Sequence, residues 1–393
     1  MSNLFILDIE THPTENKATL RLRDARGEHI AAHQLHISGD HAFEWVGLFN
    51  TREHVERYAD NLLPDKQTQL SADELIAQLG VFLGREVLGE AIFSQLYAGI
   101  QQRTLLIGLP DTEEDRLAAA FARVPWEIAR PSLDKPPLLA DHAFAVRAIT
   151  GAQLPQDREI PLALARNETL RVLLIFADAD ESRPLAVRLE RERLLTLFFE
   201  DILPTRLVQI DSLCYGVTRD TIAAQVRKAK GYHIVHWSGH GNHDSLVLLG
   251  ADGKADILHG AELVTLFNKA GGFVPSLVFL SACHSGAFVS AADWAQWKAK
   301  INLGLQETKD LPESIATQQG YTSTALALLR AGVPQVVAMR YTVEDSYARQ
   351  LAVRFYRYLL GEQHSADAAL AMARGQLAAE AHIGAIVHTT PLL

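Results

Sequence analysis

The sequence predicts an α/β protein whose second half is built on a mostly parallel sheet with helices on both faces. Three observations carry that expectation. Beyond about residue 165, short continuous apolar runs recur, as fully buried parallel strands require. Stretches of helical period separate these runs, and repeated strand–helix alternation implies right-handed crossovers. The composition, 48% apolar and 21% charged, is that of a packed globular chain.

At 393 residues the chain exceeds one ordinary core, and about 150 residues per domain points to two modules. The expected units are 1–165, an irregular α/β subdomain, and 166–393, the regular one. In the first, "LFILDIE", "ATLRLR" and "RTLLIGL" read as strands and 72–83 as a helix. The Pro-bearing "GAQLPQDREIPLALARNE" (151–168) has no clear period and reads as a linker.

In the second unit "LRVLLIFA" (170–177) is the first strand. A helix carrying Leu194, Leu195, Phe198 and Phe199 on one face follows, then "RLVQI" as the second strand. Thr218 suits the N-cap of a helix bearing Ile222 and Val226. "YHIVHWS" (232–238), "LVFLSA" (277–282) and "QVVAM" (335–339) are the third to fifth strands. Helices are expected at 260–269, 322–331 and 343–360, the last with Val343, Tyr347, Leu351 and Phe355 at four-residue steps.

Composition excludes some functions. A net charge of −10, with no basic run interleaved with aromatics, argues against direct nucleic-acid binding. The opening "MSNLFILDIETHP" lacks a charged leader, and no stretch approaches 18 apolar residues, so a cytoplasmic chain with no membrane span is expected. Two cysteines, Cys214 and Cys283, make no disulfide framework and fit a reducing compartment.

In parallel sheets chemistry gathers at the carboxyl ends of strands. His233 and His236 lie within the third strand, whereas His240, in Ser238-Gly239-His240-Gly241, follows its end; Cys283 follows the end of the fourth. A strand-end cysteine alone is commonly a buried small residue, and a strand-end histidine alone a surface group. Both at neighbouring strand ends, each with Gly or Ser within two residues, favour a nucleophile and its base. A thiolate attacks carbonyl carbon, and an imidazole lowers the thiol pKa and then protonates the leaving amine. Gly241 allows close backbone approach, so its NH and that of Cys283 form a candidate oxyanion hole. A zinc site from His236, His240, His243 and Asp244 is disfavoured, because the four-residue His236–His240 step converges on a helix rather than across a strand and turn. Cys214, His233 and His236 are read as structural, and no metal or organic cofactor is expected.

"HIVHWSGHG", "LVFLSACHSG", "TSTALALLRAGVPQVVAMRYTVEDSYARQLAVRFYRYLL" and the upstream "VPWEI" and "AVRAIT" resemble the successive blocks of the CHAT family, caspase-like cysteine proteases of clan CD related to separase. The resemblance implies a caspase-hemoglobinase three-layer α/β/α sandwich after about 165, preceded by a pseudo-caspase half containing Trp126 and Glu127. It implies His240 as base and Cys283 as nucleophile of a cysteine endopeptidase. Its substrate would be a protein, and its setting bacterial defence, with release by an activating sensor or regulatory partner. The alternative is a catalytically silent caspase-like scaffold.

Substrate preference stays open. Metacaspases carry an Asp two residues before the cysteine, in a pocket for basic P1 side chains; this chain has Ser281 there, and Ser238 in the matching position before the histidine. Asp178, Asp180, Glu344 and Asp345 could still supply negative charge, whereas Arg340 falls near the end of the fifth strand, where caspases place an arginine for acidic side chains. The segment 287–321, with "ADWAQWKAKI" as a possible helix, exceeds a simple crossover and corresponds to the caspase activation linker.

Overall fold

The computed structural model describes residues 4–12, 17–36, 72–97, 104–109, 121, 124–138, 144–149, 164, 168–177, 187–241, 245–250, 253–282, 324–339, 345–380 and 391–392. Its first sheet contains β1 (Leu4–His12), β2 (Lys17–Asp24) and β3 (His29–His36) as an antiparallel meander. Helices α1 (Ala72–Phe82) and α2 (Gly89–Tyr97) follow, then β4 (Thr104–Leu109), a 3-10 turn at Trp126–Ile128 and β5 (Phe144–Ile149). The order is β3-β2-β1-β4-β5, with β1, β4 and β5 mutually parallel. Leu7, Leu20, Leu22 and Ile107 pack with Leu83, Ile92 and Trp126 in one core.

The second sheet starts with β6 (Leu170–Ala177), then α3 (Val187–Leu197), β7 (Val208–Cys214) and α4 (Arg219–Ala229). Next come β8 (Ile234–Gly239), the antiparallel hairpin β9 (Ser245–Leu249) and β10 (Ala255–His259), α5 (Gly260–Lys269) and β11 (Leu277–Ser281). Helix α6 (Thr324–Arg330), β12 (Gln335–Met339), α7 (Asp345–Tyr356), α8 (Ala366–Glu380) and β13 (Pro391–Leu392) complete it. The order is β13-β12-β11-β8-β6-β7; five strands are parallel and β13 runs antiparallel to β12.

Strand β6 shows why the sheet is a middle layer. Leu170, Val172, Leu174 and Phe176 enter a core with Leu194 on α3, Phe198 just after it, Leu351 and Phe355 on α7, and Leu370 and Leu377 on α8. Leu173, Ile175 and Ala177 enter the opposite core, with Ile222 and Val226 on α4, Phe267 on α5 and Leu328 on α6. A strand with apolar residues at both parities can be buried on both faces. The result is a three-layer α/β/α sandwich with a mostly parallel sheet, preceded by a second α/β half.

Local chemistry sets the element ends. The Thr218 hydroxyl accepts from the Thr221 NH at 3.2 Å, the Thr218 NH donates to the Thr221 hydroxyl at 2.9 Å, and Lys230 closes α4 in the left-handed region. One expected pattern is corrected. Leu194 and Phe198 are buried, but Phe199 is 61% exposed. The buried stripe is Val187, Glu190, Leu194 and Leu197, continued by Phe198, and at about 100° per residue Phe199 turns off it toward solvent. In α7, Tyr347, Leu351 and Phe355 are buried as their spacing requires. Val343, the 287–321 segment and nearly all of 151–168 lie outside the described residues.

A buried ion pair joins the halves. Glu127, in the Trp126–Ile128 turn, and Arg374, on α8, approach to 3.6 Å with side chains 0% and 1% exposed.

Candidate active site

Strand order reverses between β6 and β8: from β6 the chain moves outward to β7, then returns to the other side of β6 as β8. Crevices form at the carboxyl ends of strands beside such a reversal. His240 directly follows β8 there, half-buried, and its carbonyl accepts from the Val247 NH at 3.1 Å. Gly241 forms an isolated antiparallel bridge with Leu246. The β9 end of the hairpin therefore pins the backbone that carries His240.

β8 and β11 pair in parallel up to Ser238 opposite Ser281. His240 and Cys283 each stand two residues beyond that last pair in sequence. Cys283 is outside the described residues, but Ala282 is described and buried. A Cβ added to Gly241 would meet the Ala282 Cβ at 2.9 Å, so the residue after His240 lies against the residue before Cys283. At Gly239 a Cβ would fall 2.4 Å from the Ala177 carbonyl oxygen, so the close approach of β8 to β6 at this point requires glycine.

Beneath these strand ends lies a buried polar chain. Glu190, on α3 and 6% exposed, places Oε1 3.2 Å from His236 Nε2. Its Oε2 accepts from the Ser238 hydroxyl at 2.6 Å and from the Ser281 hydroxyl at 3.4 Å. His236 is fully buried, its Nδ1 lies 3.2 Å from the Tyr356 hydroxyl, and Phe176, Phe279 and Tyr356 surround its ring. Burial, and after it the Glu190 charge, hold the Tyr356 hydroxyl well above the ordinary phenol range. It stays protonated and can donate to Nδ1, which leaves Nε2–H to donate to Glu190.

Of the remaining residues singled out in the sequence, Asp345, His233 and Cys214 are described. Asp345 is the exposed first residue of α7. Asp178, Arg340, Glu344, His243 and Asp244 lie outside the described residues. His233 precedes β8; its Nδ1 accepts from the Arg171 NH at 3.0 Å and its Nε2 reaches Glu168 at 3.1 Å. Burial lowers its pKa, with the neighbouring Arg171 charge acting in the same sense and the Glu168 hydrogen bond opposing. Cys214 is a half-buried free thiol at the end of β7, beside a cavity of about 330 Å³ lined in part by Phe176, Ala177, Val187, Arg191 and Tyr215. No group of three or more potential metal ligands occurs among the described residues. Among them, too, no helix is long and apolar enough to cross a membrane.

Glu190 is the residue that sequence reasoning missed. In "VRLERERLLTL" it looks like one of several charges on a solvated helix. Its signal is positional: Val187, Glu190, Leu194 and Leu197 form the buried stripe, so Glu190 occupies a place where an apolar residue is expected.

The parallel sheet with helical layers on both faces defines a three-layer α/β/α fold. The chain belongs to the CHAT domain family, whose model matches residues 94–386. This is a family of caspase-like, clan CD cysteine-peptidase fold. Two crystal structures of the Saccharomyces cerevisiae separase–securin complex, at 2.6 and 3.0 Å resolution, also match, with TM-scores of 0.47 and 0.48 and identities of 10% and 11%. These matches cover 100% of this chain and 30% of the matched chains, so the chain spans under a third of their length. No curated protein sequence matches the chain.

Proposed function

We propose that the chain is a cysteine endopeptidase in which Cys283 is the nucleophile and His240 the base. The observation that carries this reading is the last rung of the β8–β11 ladder, Ser238 opposite Ser281, with one candidate residue two positions beyond each partner. The contact of Gly241 with Ala282 supports it further.

In this mechanism the Cys283 thiolate adds to the scissile carbonyl carbon, and the carbonyl electron pair moves onto oxygen. The Gly241 and Cys283 NH groups stabilise that oxyanion. Collapse expels the amine, which takes its proton from the His240 imidazolium, and leaves a thioester on Cys283. Water, deprotonated by His240, then releases the acid and regenerates the thiol. The substrate is a protein segment, with Asp178, Arg340 and Asp345 as its candidate contacts; Ser238 and Ser281, read from the sequence as contacts, are buried with their hydroxyls turned to Glu190.

The family resemblance supports a cytoplasmic bacterial defence effector released by a sensor or regulatory partner, with 287–321 ordering the site on release. Loss of that control on deletion of 305–319 is expected; unchanged control would reject this part. The test of activity is digestion of a proteome-derived peptide library by the wild-type chain and by Cys283→Ala, read by mass spectrometry. New termini formed only by the wild type support the enzyme and report its P1 preference. Identical digests favour a silent scaffold.

A further inference from the structure

The β8–β11 backbone ladder ends at Ser238 and Ser281, so within that ladder no further rung fixes how far the two strand ends splay. A side-chain bridge sits at that last rung. Ser238 and Ser281 lie on the sheet face covered by α3 and α7, and both hydroxyls donate to the same oxygen of Glu190, at 2.6 and 3.4 Å. The other oxygen meets His236 at 3.2 Å, and His236 meets Tyr356 on α7 at 3.2 Å. One carboxylate thus ties both strand ends to α3, and through His236 to α7.

We infer that Glu190 is a positioning residue: by holding Ser238 and Ser281 it sets the separation of His240 and Cys283. The inference rests on the dyad reading above. Burying a carboxylate is unfavourable unless its oxygens are satisfied, and a buried polar cluster can commonly be replaced by apolar residues without loss of stability. The cluster is therefore poorly explained as a device for stability. Its contacts fall on the two residues each two positions upstream of the dyad, where a small change in splay is amplified. Misplacing a reacting group by about 1 Å costs on the order of 100-fold in rate. Ser281 and Ser238, read from the sequence as substrate contacts, act here as the arms of the bridge.

The test is the alkylation rate of Cys283 by iodoacetamide as a function of pH. It is followed on the Cys283 peptide by mass spectrometry, so that Cys214 does not contribute. Four full-length chains are compared: wild type, His240→Ala, Glu190→Gln, and the milder double variant Ser238→Ala/Ser281→Ala. Circular dichroism confirms that each is folded. We expect a thiolate profile displaced to low pH in the wild type, moved upward in His240→Ala and moved in the same direction in both bridge variants. The rate near neutral pH should fall at least about tenfold in the bridge variants. If His240→Ala moves the profile and folded bridge variants do not, the inference is overturned and the dyad stands. If the wild-type profile is that of an ordinary thiol, untouched by His240→Ala, the dyad reading fails and the inference falls with it. If Glu190→Gln does not fold, the double variant decides between these outcomes.

Discussion

Replacing Glu127 by Ala tests the contact that joins the two halves of the molecule. Its carboxylate stands 3.6 Å from the Arg374 guanidinium, with side chains 0% and 1% exposed. Two unit charges at that distance interact by about 5 kcal/mol at an effective dielectric constant near 20. Removal of one partner from a buried pair is measured at about 3–5 kcal/mol, because the other charge stays buried without it. The two scales agree, so Glu127→Ala should lose about 3–5 kcal/mol in urea unfolding followed by circular dichroism. Glu127→Leu combined with Arg374→Met removes both desolvation penalties and should return to within about 1 kcal/mol of wild type. A Glu127→Ala chain within about 1 kcal/mol of wild type, or a double variant as unstable as the single, would refute the reasoning.

Three further outcomes follow from the site and its surroundings. Gly241→Ala puts a Cβ 2.9 Å from that of Ala282, so the segment carrying His240 or the one carrying Ala282 must shift; peptide cleavage should fall at least about tenfold, beyond the overpacking cost of about 1–3 kcal/mol seen in unfolding. Wild-type cleavage by that variant would sink the close-approach argument. His233 has a folded-state pKa below its ordinary value, so the unfolded chain binds more protons between the two. Its stabilisation is complete above about pH 6.5 and is lost as pH falls through the folded-state value. The drop in unfolding midpoint from about pH 7.5 to pH 5 should therefore be smaller in His233→Gln than in wild type, and an equal drop would contradict the assignment. Thr218→Ala removes the hydroxyl that caps α4 and should cost about 1 kcal/mol in the same unfolding assay, whereas no change would show the cap to be dispensable.

How much of this was legible in the sequence varied with the physics of each element. Four of the parallel strands, β6, β8, β11 and β12, were readable because they are buried on both faces and so read as continuous apolar runs between polar turns. The ends of the fifth were less certain: the strand read as 206–210 runs from Val208 to Cys214, its polar Asp211 and Ser212 masking the second half. The β9–β10 hairpin was not anticipated, since "ADILH" is short and half polar. Helix α8 was missed because its many alanines leave no apolar stripe against a polar face. Strand β13 has two residues and owes its existence to pairing with Ala338 and Met339, which no local pattern announces.

The candidate site was legible to the same degree. His240 stood out only in combination with Cys283, each just past the end of a neighbouring strand, and it lies beside the strand-order reversal. His233 and His236, read as structural, have hydrogen-bond partners at both ring nitrogens. Glu190 was hidden because its significance is tertiary. Only the fold reveals that the hydroxyls of β8 and β11 converge on one carboxylate from α3.

The central claim is that Cys283 is a nucleophile whose activation depends on His240. It is tested most directly by a peptide acyloxymethyl ketone, which forms a stable thioether only with an activated, correctly placed thiol. The full chain is labelled, digested, and the adduct located by mass spectrometry. The account predicts one adduct on Cys283, none on Cys214, and loss of the adduct in His240→Ala. Labelling confined to Cys214, no labelling, or labelling of Cys283 that persists undiminished in His240→Ala would contradict it.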